Sequence, residues 1–97
     1  EAVGEVVVDG TAWPVGTEKI LHLPVSFGRQ GGNKVRIEDP FVSAHHAELM
    51  ADGAAVWLID RGSKNGTWLG DGRLDRPVKL KPGDEFRLGG TRFRFGE

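Results

Sequence analysis

The 97-residue chain is long enough for one domain, and its 38% hydrophobic residues supply one core rather than two. Its 13 Lys and Arg side chains are balanced by 14 Asp and Glu, and the formal net charge of -1 excludes a global attraction to nucleic acid or to an anionic membrane. The lack of cysteine excludes disulfides and thiolate chemistry and fits a reducing compartment, so we expect the cytoplasm.

Short runs rich in Val, Ile, Leu, Phe and Trp are separated by glycines and prolines, which predicts a series of strands. No helical period persists for three turns. In chain order the predicted strands cover residues 5–8, 19–23, 25–28, 34–37, 47–51, 54–59, 67–69, 78–80, 85–88 and 92–95.

Two pairs of these runs predict hairpins. The fifth and sixth runs flank Asp52-Gly53, and the last two runs meet at Gly89-Gly90; both dipeptides suit a primed two-residue turn. In the last run Phe93 and Phe95 alternate with arginines, which predicts one buried face and one solvated face.

About ten short strands must each bury one face in fewer than a hundred residues. In the sixth run Val56 and Leu58 share one face, while Trp57 and Ile59 share the other. Two packed antiparallel sheets bury such faces with the least chain, so the sequence predicts an all-β sandwich.

We expect a single domain over residues 1–97 with no internal boundary. Because the chain starts at Glu1 rather than Met, we expect it to be excised from a larger protein. No apolar run approaches the roughly 20 residues that span a bilayer, and residues 1–10 lack the pattern of a signal peptide. Membrane insertion is therefore not expected.

Two of the predicted loops carry polar groups suited to an anion. Arg29 follows Gly28 and opens a glycine-rich loop, where its planar guanidinium can grip phosphate oxygens in two places. Ser43 offers a hydroxyl and its own backbone N–H as donors. His46 is expected to be a buried structural histidine that is satisfied by backbone hydrogen bonds.

A third loop, residues 60–67, has the same character. Lys64 adds a cation, and the Asn65 amide can bond both a peptide C=O and a peptide N–H. Ser63 and Thr67 can tie the loop down. A Walker-type phosphate loop is excluded, because no G-K-[ST] follows the glycines and no helix follows the loop.

Ser43, His46 and Asp60 are of the residue types that can form a hydrolytic triad. Ser43 lacks the G-x-S-x-G elbow and no oxyanion loop is evident, so no enzyme is expected. His45 and His46 are poor candidates for a shared metal, because adjacent side chains on a strand point to opposite faces. No metal or cofactor is predicted.

The polar loops occur with further motifs in a characteristic order. These motifs are Gly28-Arg29, Ser43-Ala44-His45-His46, residues 60–67, Leu80-Lys81-Pro82-Gly83-Asp84 and Arg87-Leu88-Gly89. The set resembles the signature of forkhead-associated (FHA) domains over about residues 5–96. The resemblance implies an eleven-stranded FHA-like β-sandwich that binds phosphothreonine in preference to phosphoserine, in Ser/Thr-kinase-dependent signalling.

The resemblance also implies roles for individual residues. Arg29 and Ser43 match the positions that contact phosphate, and Asn65 matches the asparagine that holds the ligand backbone. Lys64 stands where Thr or Ser is common, at a position that reaches the phosphate or the threonine methyl group, and its charge implies a phosphate contact. Ala44 stands where Arg or Asn is frequent, so one potential donor is lost that Lys64 can offset.

Other positions match the family's scaffold, namely Gly28, His46, Gly66 and Thr67. Phe41 lies near the position that reads the ligand residue three places after the phosphothreonine, and it implies an apolar preference there. The expected partner is therefore a phosphothreonine-containing protein or peptide, or a segment of the protein's own chain.

Two alternative functions are compatible with an all-β sandwich. Some FHA domains bind partners without phosphate through a sheet face. A β-barrel that binds nucleic acid through Arg87, Arg92 and Arg94 is disfavoured, because the net charge is near neutral and no exposed aromatics were expected among these arginines. These arginines are therefore expected to form a solvated outer face, and nucleic acid is not an expected partner.

Overall fold

The computed structural model describes residues 4–11, 13 and 18–96. The predicted 1–97 domain therefore includes residues 1–3, 12, 14–17 and 97, which lie outside the described residues. No helix in the described part of the chain is long and apolar enough to cross a membrane. The described residues form the strands β1 Glu5–Gly10, β2 Glu18–His22, β3 Val25–Gly28, β4 Val35–Arg36, β5 Ala47–Asp52, β6 Ala55–Asp60, β7 Thr67–Leu69, β8 Gly72–Arg73, β9 Val78–Lys79, β10 Glu85–Leu88 and β11 Thr91–Gly96.

The strands form two sheets, which confirms the predicted all-β sandwich. One sheet has the order β2-β1-β11-β10-β7-β8 and the other β4-β3-β5-β6-β9. The pairing is antiparallel except between β3 and β4, which run parallel with Phe27 opposite Val35. The loop of residues 29–34 brings the chain back beside β3. The chain then runs in the same direction as β3, so the two strands are parallel.

One strand was missed by the sequence prediction. β8 consists of Gly72 and Arg73 and pairs with β7, where Arg73 lies opposite Trp68. A two-residue strand without an apolar residue has no periodicity to detect. The other ten strands lie where they were predicted, with boundaries that differ by a few residues.

The turn of the β5–β6 hairpin lies one residue later than predicted. Asp52 pairs with Ala55, so the two turn residues are Gly53 and Ala54 rather than Asp52-Gly53. Gly53 has φ of 61°, and a primed turn whose first central residue has positive φ favours glycine there. The predicted Gly89-Gly90 turn is confirmed, with Leu88 paired to Thr91.

The core lies between the sheets and is organised around three phenylalanine rings. Phe27 comes from the five-stranded sheet, while Phe86 and Phe93 come from the six-stranded sheet and stack with ring centroids 5.2 Å apart. Phe27 meets both rings edge-on, at 5.9 Å and 5.2 Å. All three side chains are fully buried. The rings thereby join the two layers at the centre of the sandwich.

The alternation predicted for β6 is also present. Val56 and Leu58 are buried in the core, whereas Trp57 and Ile59 are half-buried on the opposite face of the sheet. Trp57 therefore belongs to the outer surface of the sandwich.

We predict that Phe93→Ala lowers the free energy of unfolding by about 3–5 kcal/mol, because it leaves a cavity between two aromatic rings. Trp57→Ala removes a ring from the outer face and should cost about 1–2 kcal/mol. Urea titrations of both variants measure the two losses. Equal losses would contradict the assignment of Phe93 to the core and Trp57 to the surface.

Candidate functional site

Three loops meet at one end of the sandwich. The backbone N–H of Arg29 donates to the C=O of Ser43 over 3.0 Å. The N–H of Lys64 donates to Ser43 Oγ over 3.1 Å, and the side-chain amide of Asn65 donates to the C=O of Phe41 over 2.8 Å. The loops that carry the predicted phosphate-binding and ligand-backbone residues are therefore in direct contact.

Ser43 lies at the centre of these contacts. Its Oγ accepts the Lys64 N–H, so the hydroxyl proton can be donated to another acceptor. Its backbone N–H, which the sequence analysis offered as a second donor to an anion, instead donates to Nδ1 of His46 over 3.0 Å. That expectation was wrong, because the N–H is satisfied within the protein.

His46 is fully buried and bonded to backbone groups, as predicted. Its Nδ1 accepts the Ser43 N–H and its Nε2 lies 2.8 Å from the Gly66 C=O. A carbonyl can only accept, so Nε2 carries the proton. These contacts leave neither ring nitrogen for the Ser43 hydroxyl or for Asp60, so the three residues do not form a hydrolytic triad.

The close approach of the first two loops depends on Gly28. A Cβ at this position would lie 2.2 Å from the carbonyl oxygen of Ala44, so a larger residue would force the loops apart. The buried Asn33 side chain reinforces the contact, because its amide donates to the carbonyls of Gln30 and Ala44 over 2.8 Å and 2.6 Å. Sequence reasoning gave Asn33 no role, since an asparagine in a glycine-rich loop is ordinary.

Asp60 organises the third loop. Its Oδ2 accepts the backbone N–H groups of Gly62 and Ser63 over 3.0 Å and 3.2 Å. Its Oδ1 accepts the Ser63 hydroxyl and, over 2.7 Å, the hydroxyl of Thr67. Burial of the carboxylate raises its pKa, but the hydrogen bonds from Ser63, Thr67 and Gly62 outweigh burial, and the pKa of Asp60 lies below its ordinary value.

The end of the third loop is held by Gly66. Its φ of 87° is in the left-handed region, and a Cβ there would lie 2.6 Å from Nε of Arg73. The indole N–H of Trp68 donates to the C=O of Asn65 over 3.2 Å. The loop therefore rests against two side chains of the six-stranded sheet.

Asp39, which the sequence analysis left without a role, links the second loop to the β10–β11 turn. Its carboxylate accepts the N–H of Phe41 over 2.9 Å, the N–H of Gly90 over 2.8 Å and the hydroxyl of Thr91 over 3.1 Å. The Phe41 N–H is the main cause that lowers the pKa of Asp39, and burial opposes it. Gly90 is 51 residues away from Asp39 in the chain, so no local sequence pattern could reveal this link.

The side chains available to a ligand are exposed above this framework. Arg29, Ala44, Lys64 and Asn65 are exposed, and Ser43 is half-buried. Phe41 is 62% exposed, so it is not packed beneath its own loop. The end of the sandwich thus presents two cations, a hydroxyl, an amide and an apolar ring.

The outer face of the six-stranded sheet differs from the expectation in one respect. Trp68 lies among the arginines, and the Arg87 guanidinium is 5.2 Å from the centre of its ring. The expected lack of aromatics on this face was wrong. Trp68 belongs to a three-residue strand, whose pairing with β10 could not be derived from its sequence.

We predict that Asp60→Asn lowers the free energy of unfolding by about 1–3 kcal/mol at pH 7, because it weakens a charged acceptor of several donors. Since the pKa of Asp60 is depressed in the folded state, the carboxylate stabilises the fold above its unfolded pKa, and this contribution is lost as the pH falls through the folded value. Unfolding free energies measured from pH 7 to well below the ordinary Asp pKa of about 3.9 should therefore fall less in the variant than in the wild type.

The matched control for this prediction is Asp75→Asn. The Asp75 side chain is 80% exposed and contacts the neighbouring Arg76. Its unfolding free energy at pH 7 should stay within about 0.5 kcal/mol of the wild type. Equal destabilisation by the two variants would contradict the organising role of Asp60.

Comparison with known proteins agrees with this architecture. The FhaB protein of Mycolicibacterium smegmatis, an FHA domain-containing protein, is 33% identical over 87 residues, which cover 89% of this chain and 55% of that protein. This chain thus spans about half the length of that relative. EmbR of Mycobacterium tuberculosis, solved in complex with a low affinity phosphopeptide, has a TM-score of 0.86 and 26% identity over 96% of this chain and 24% of its own.

A second solved chain comes from a structural and functional analysis of phosphothreonine-dependent FHA domain interactions. It has a TM-score of 0.84 and 26% identity, and the match covers 96% of each chain. The family model of the FHA domain matches residues 25–89, which contain all three loops of the candidate site. On the combined evidence of sequence, fold and loop arrangement, this chain belongs to the FHA domain family.

Proposed function

We propose that the chain is a phosphopeptide-binding module that recognises phosphothreonine in partner proteins or in its own protein. The observation that carries this proposal is the direct contact among the loops of Arg29, Ser43 and Asn65. In the proposed site, the side chains of these loops supply positive charge, a neutral donor and an amide that binds the ligand backbone.

Each side chain has a defined part in the proposed complex. The Arg29 guanidinium and the Lys64 ammonium bind phosphate oxygens, and Ser43 donates its hydroxyl proton to a third oxygen. Asn65 uses one amide N–H on the Phe41 carbonyl, which leaves its other N–H and its Oδ1 for the ligand backbone.

Phosphorylation acts as the switch in this mechanism. A phosphothreonine carries about -1.5 to -2 charges at pH 7 and three acceptor oxygens, whereas an unmodified threonine offers a single hydroxyl. The loops are already held by internal hydrogen bonds, so little ordering is required on binding. The phosphopeptide bound to the related EmbR supports this assignment. The proposed role lies in Ser/Thr-kinase-dependent signalling, and the proposed location is the cytoplasm.

We predict that Arg29→Ala weakens binding of a phosphothreonine peptide by at least about 1.5–3 kcal/mol, because a charge-assisted hydrogen bond is lost. Ser43→Ala should cost less, about 0.5–1.5 kcal/mol, since its hydroxyl is a neutral donor. Isothermal titration calorimetry measures both losses, and urea unfolding checks that each variant folds.

Arg76→Ala is the matched control, because Arg76 is 79% exposed and its ion pair is with the adjacent Asp75. It removes the same charge from the protein, and within the described residues the Arg76 guanidinium bonds Asp75 and no group of the three loops. Binding that is equally weak in Arg29→Ala and Arg76→Ala would point to a general charge effect, and wild-type affinity in Arg29→Ala would contradict the proposed site.

The specificity of the site is tested with a degenerate phosphothreonine peptide library and matched phosphoserine and unphosphorylated libraries. We predict binding to the phosphothreonine library with apolar residues selected three places after the phosphothreonine. Phe41→Ala should remove that selection while phosphate-dependent binding remains, because the exposed ring is not part of the phosphate contacts. An unchanged selection in Phe41→Ala would exclude the residue from specificity.

A further inference from the structure

A row of three arginines and a tryptophan crosses the outer face of the six-stranded sheet. Trp68 on β7 lies opposite Arg73 on β8 and opposite Arg87 on β10, and Arg87 lies opposite Arg92 on β11. Residues paired directly across strands project to the same face. Neighbouring strands are about 4.8 Å apart, so this arginine row spans about 14 Å.

The arginines of the row form no ion pair within the described residues. By contrast Arg94, which lies two residues after Arg92 on β11, forms an ion pair with Asp9 over 3.7 Å. Arg87 is held over the Trp68 ring and also donates to the C=O of Gly89 over 2.9 Å. Its guanidinium is therefore ordered before any ligand binds.

The arginine row is continuous with the phosphopeptide loops. The indole N–H of Trp68 donates to the C=O of Asn65, and the Arg73 side chain lies against Gly66. At the β10–β11 turn, a Cβ on Gly89 would lie 3.1 Å from the Cβ of Phe41. The turn that joins the strands of Arg87 and Arg92 is thus in contact with the proposed specificity residue.

We propose that the arginine row binds an acidic segment of the same phosphorylated partner, located after the position that contacts Phe41. This inference rests on the proposed function, because phosphothreonine anchors the peptide and sets its direction. A peptide that passes Phe41 reaches the Gly89-Gly90 turn and then the row. At about 3.3 Å per extended residue, four residues span it.

The chemistry of the row fits carboxylates on a short peptide. Exposed guanidinium groups bind carboxylates in pairs of hydrogen bonds, and the ring beneath Arg87 holds one of them in place. Asp71 and Glu85 line the same groove, which has a volume of about 550 Å³. These acidic groups confine the positive surface to the row itself. An acidic segment of four residues can follow the row alone, whereas a long polyanion such as nucleic acid would also cover Asp71 and Glu85.

The experiment compares two phosphothreonine peptides that are identical up to the third residue after the phosphothreonine. The next four residues are Glu in one peptide and Gln in the other. Fluorescence anisotropy with the wild-type chain should show about tenfold tighter binding of the Glu peptide at low salt, and the difference should shrink as salt is added.

Arg92→Gln should remove most of this preference and leave the affinity for the Gln peptide unchanged. Arg94→Gln is the matched control, because it removes an arginine from the same strand outside the row, and it should keep the preference. Urea unfolding of both variants separates loss of the preference from loss of the fold. An equal effect of the two substitutions would overturn the proposal.

The remaining outcomes separate this inference from the proposed function. Equal affinity of the wild type for the Glu and Gln peptides, with dependence on phosphothreonine retained, overturns only the proposal that the arginine row binds an acidic segment. Binding of both peptides without dependence on phosphothreonine overturns the proposed function and the row together. Binding of a single-stranded oligonucleotide more tightly than the Glu peptide, weakened by Arg92→Gln, would identify nucleic acid as the occupant and overturn the acidic peptide.

Discussion

The buried ring of His46 connects the loop that carries Ser43 with the loop that carries Asn65 and Gly66. One nitrogen accepts the N–H of Ser43 and the other donates to the C=O of Gly66, which is 20 residues away in sequence. Because the imidazole is rigid and excluded from water, it sets the separation of the two backbones. An unpaired polar group at this depth would be costly, so the two loops are bound to one arrangement.

Two carboxylates extend this framework outward. The Asp60 carboxylate accepts hydrogen bonds from backbone and side-chain donors of its own loop. The Asp39 carboxylate joins the second loop to the turn between β10 and β11. Both carboxylates are held in the ionised form by hydrogen bonds that lower their pKa. Irregular loops thereby acquire a definite shape without regular secondary structure, which suits the proposed binding of a small anion.

The two sheets supply a base for these loops and also a surface beside them. The rings of Phe27, Phe86 and Phe93 join the layers at the core, so the ends of the strands are fixed in relation to one another. The same pairing that buries Phe86 directs Arg87 outward beside Trp68. The proposed phosphate site and the basic face beside it can engage two features of a single ligand.

The sequence by itself determined the strands with clear alternation, because a period of two records which face is buried. It also determined the FHA family, since Arg29, Ser43 and Asn65 occur with ordered glycine and histidine motifs. Only the tertiary structure decided which hydrogen-bond donors stay available to a ligand, because the backbone N–H of Ser43 donates to the His46 ring. Likewise, the links of Asp39 and the row built on Arg73 depend on pairings between residues distant in the chain, and no local pattern records them.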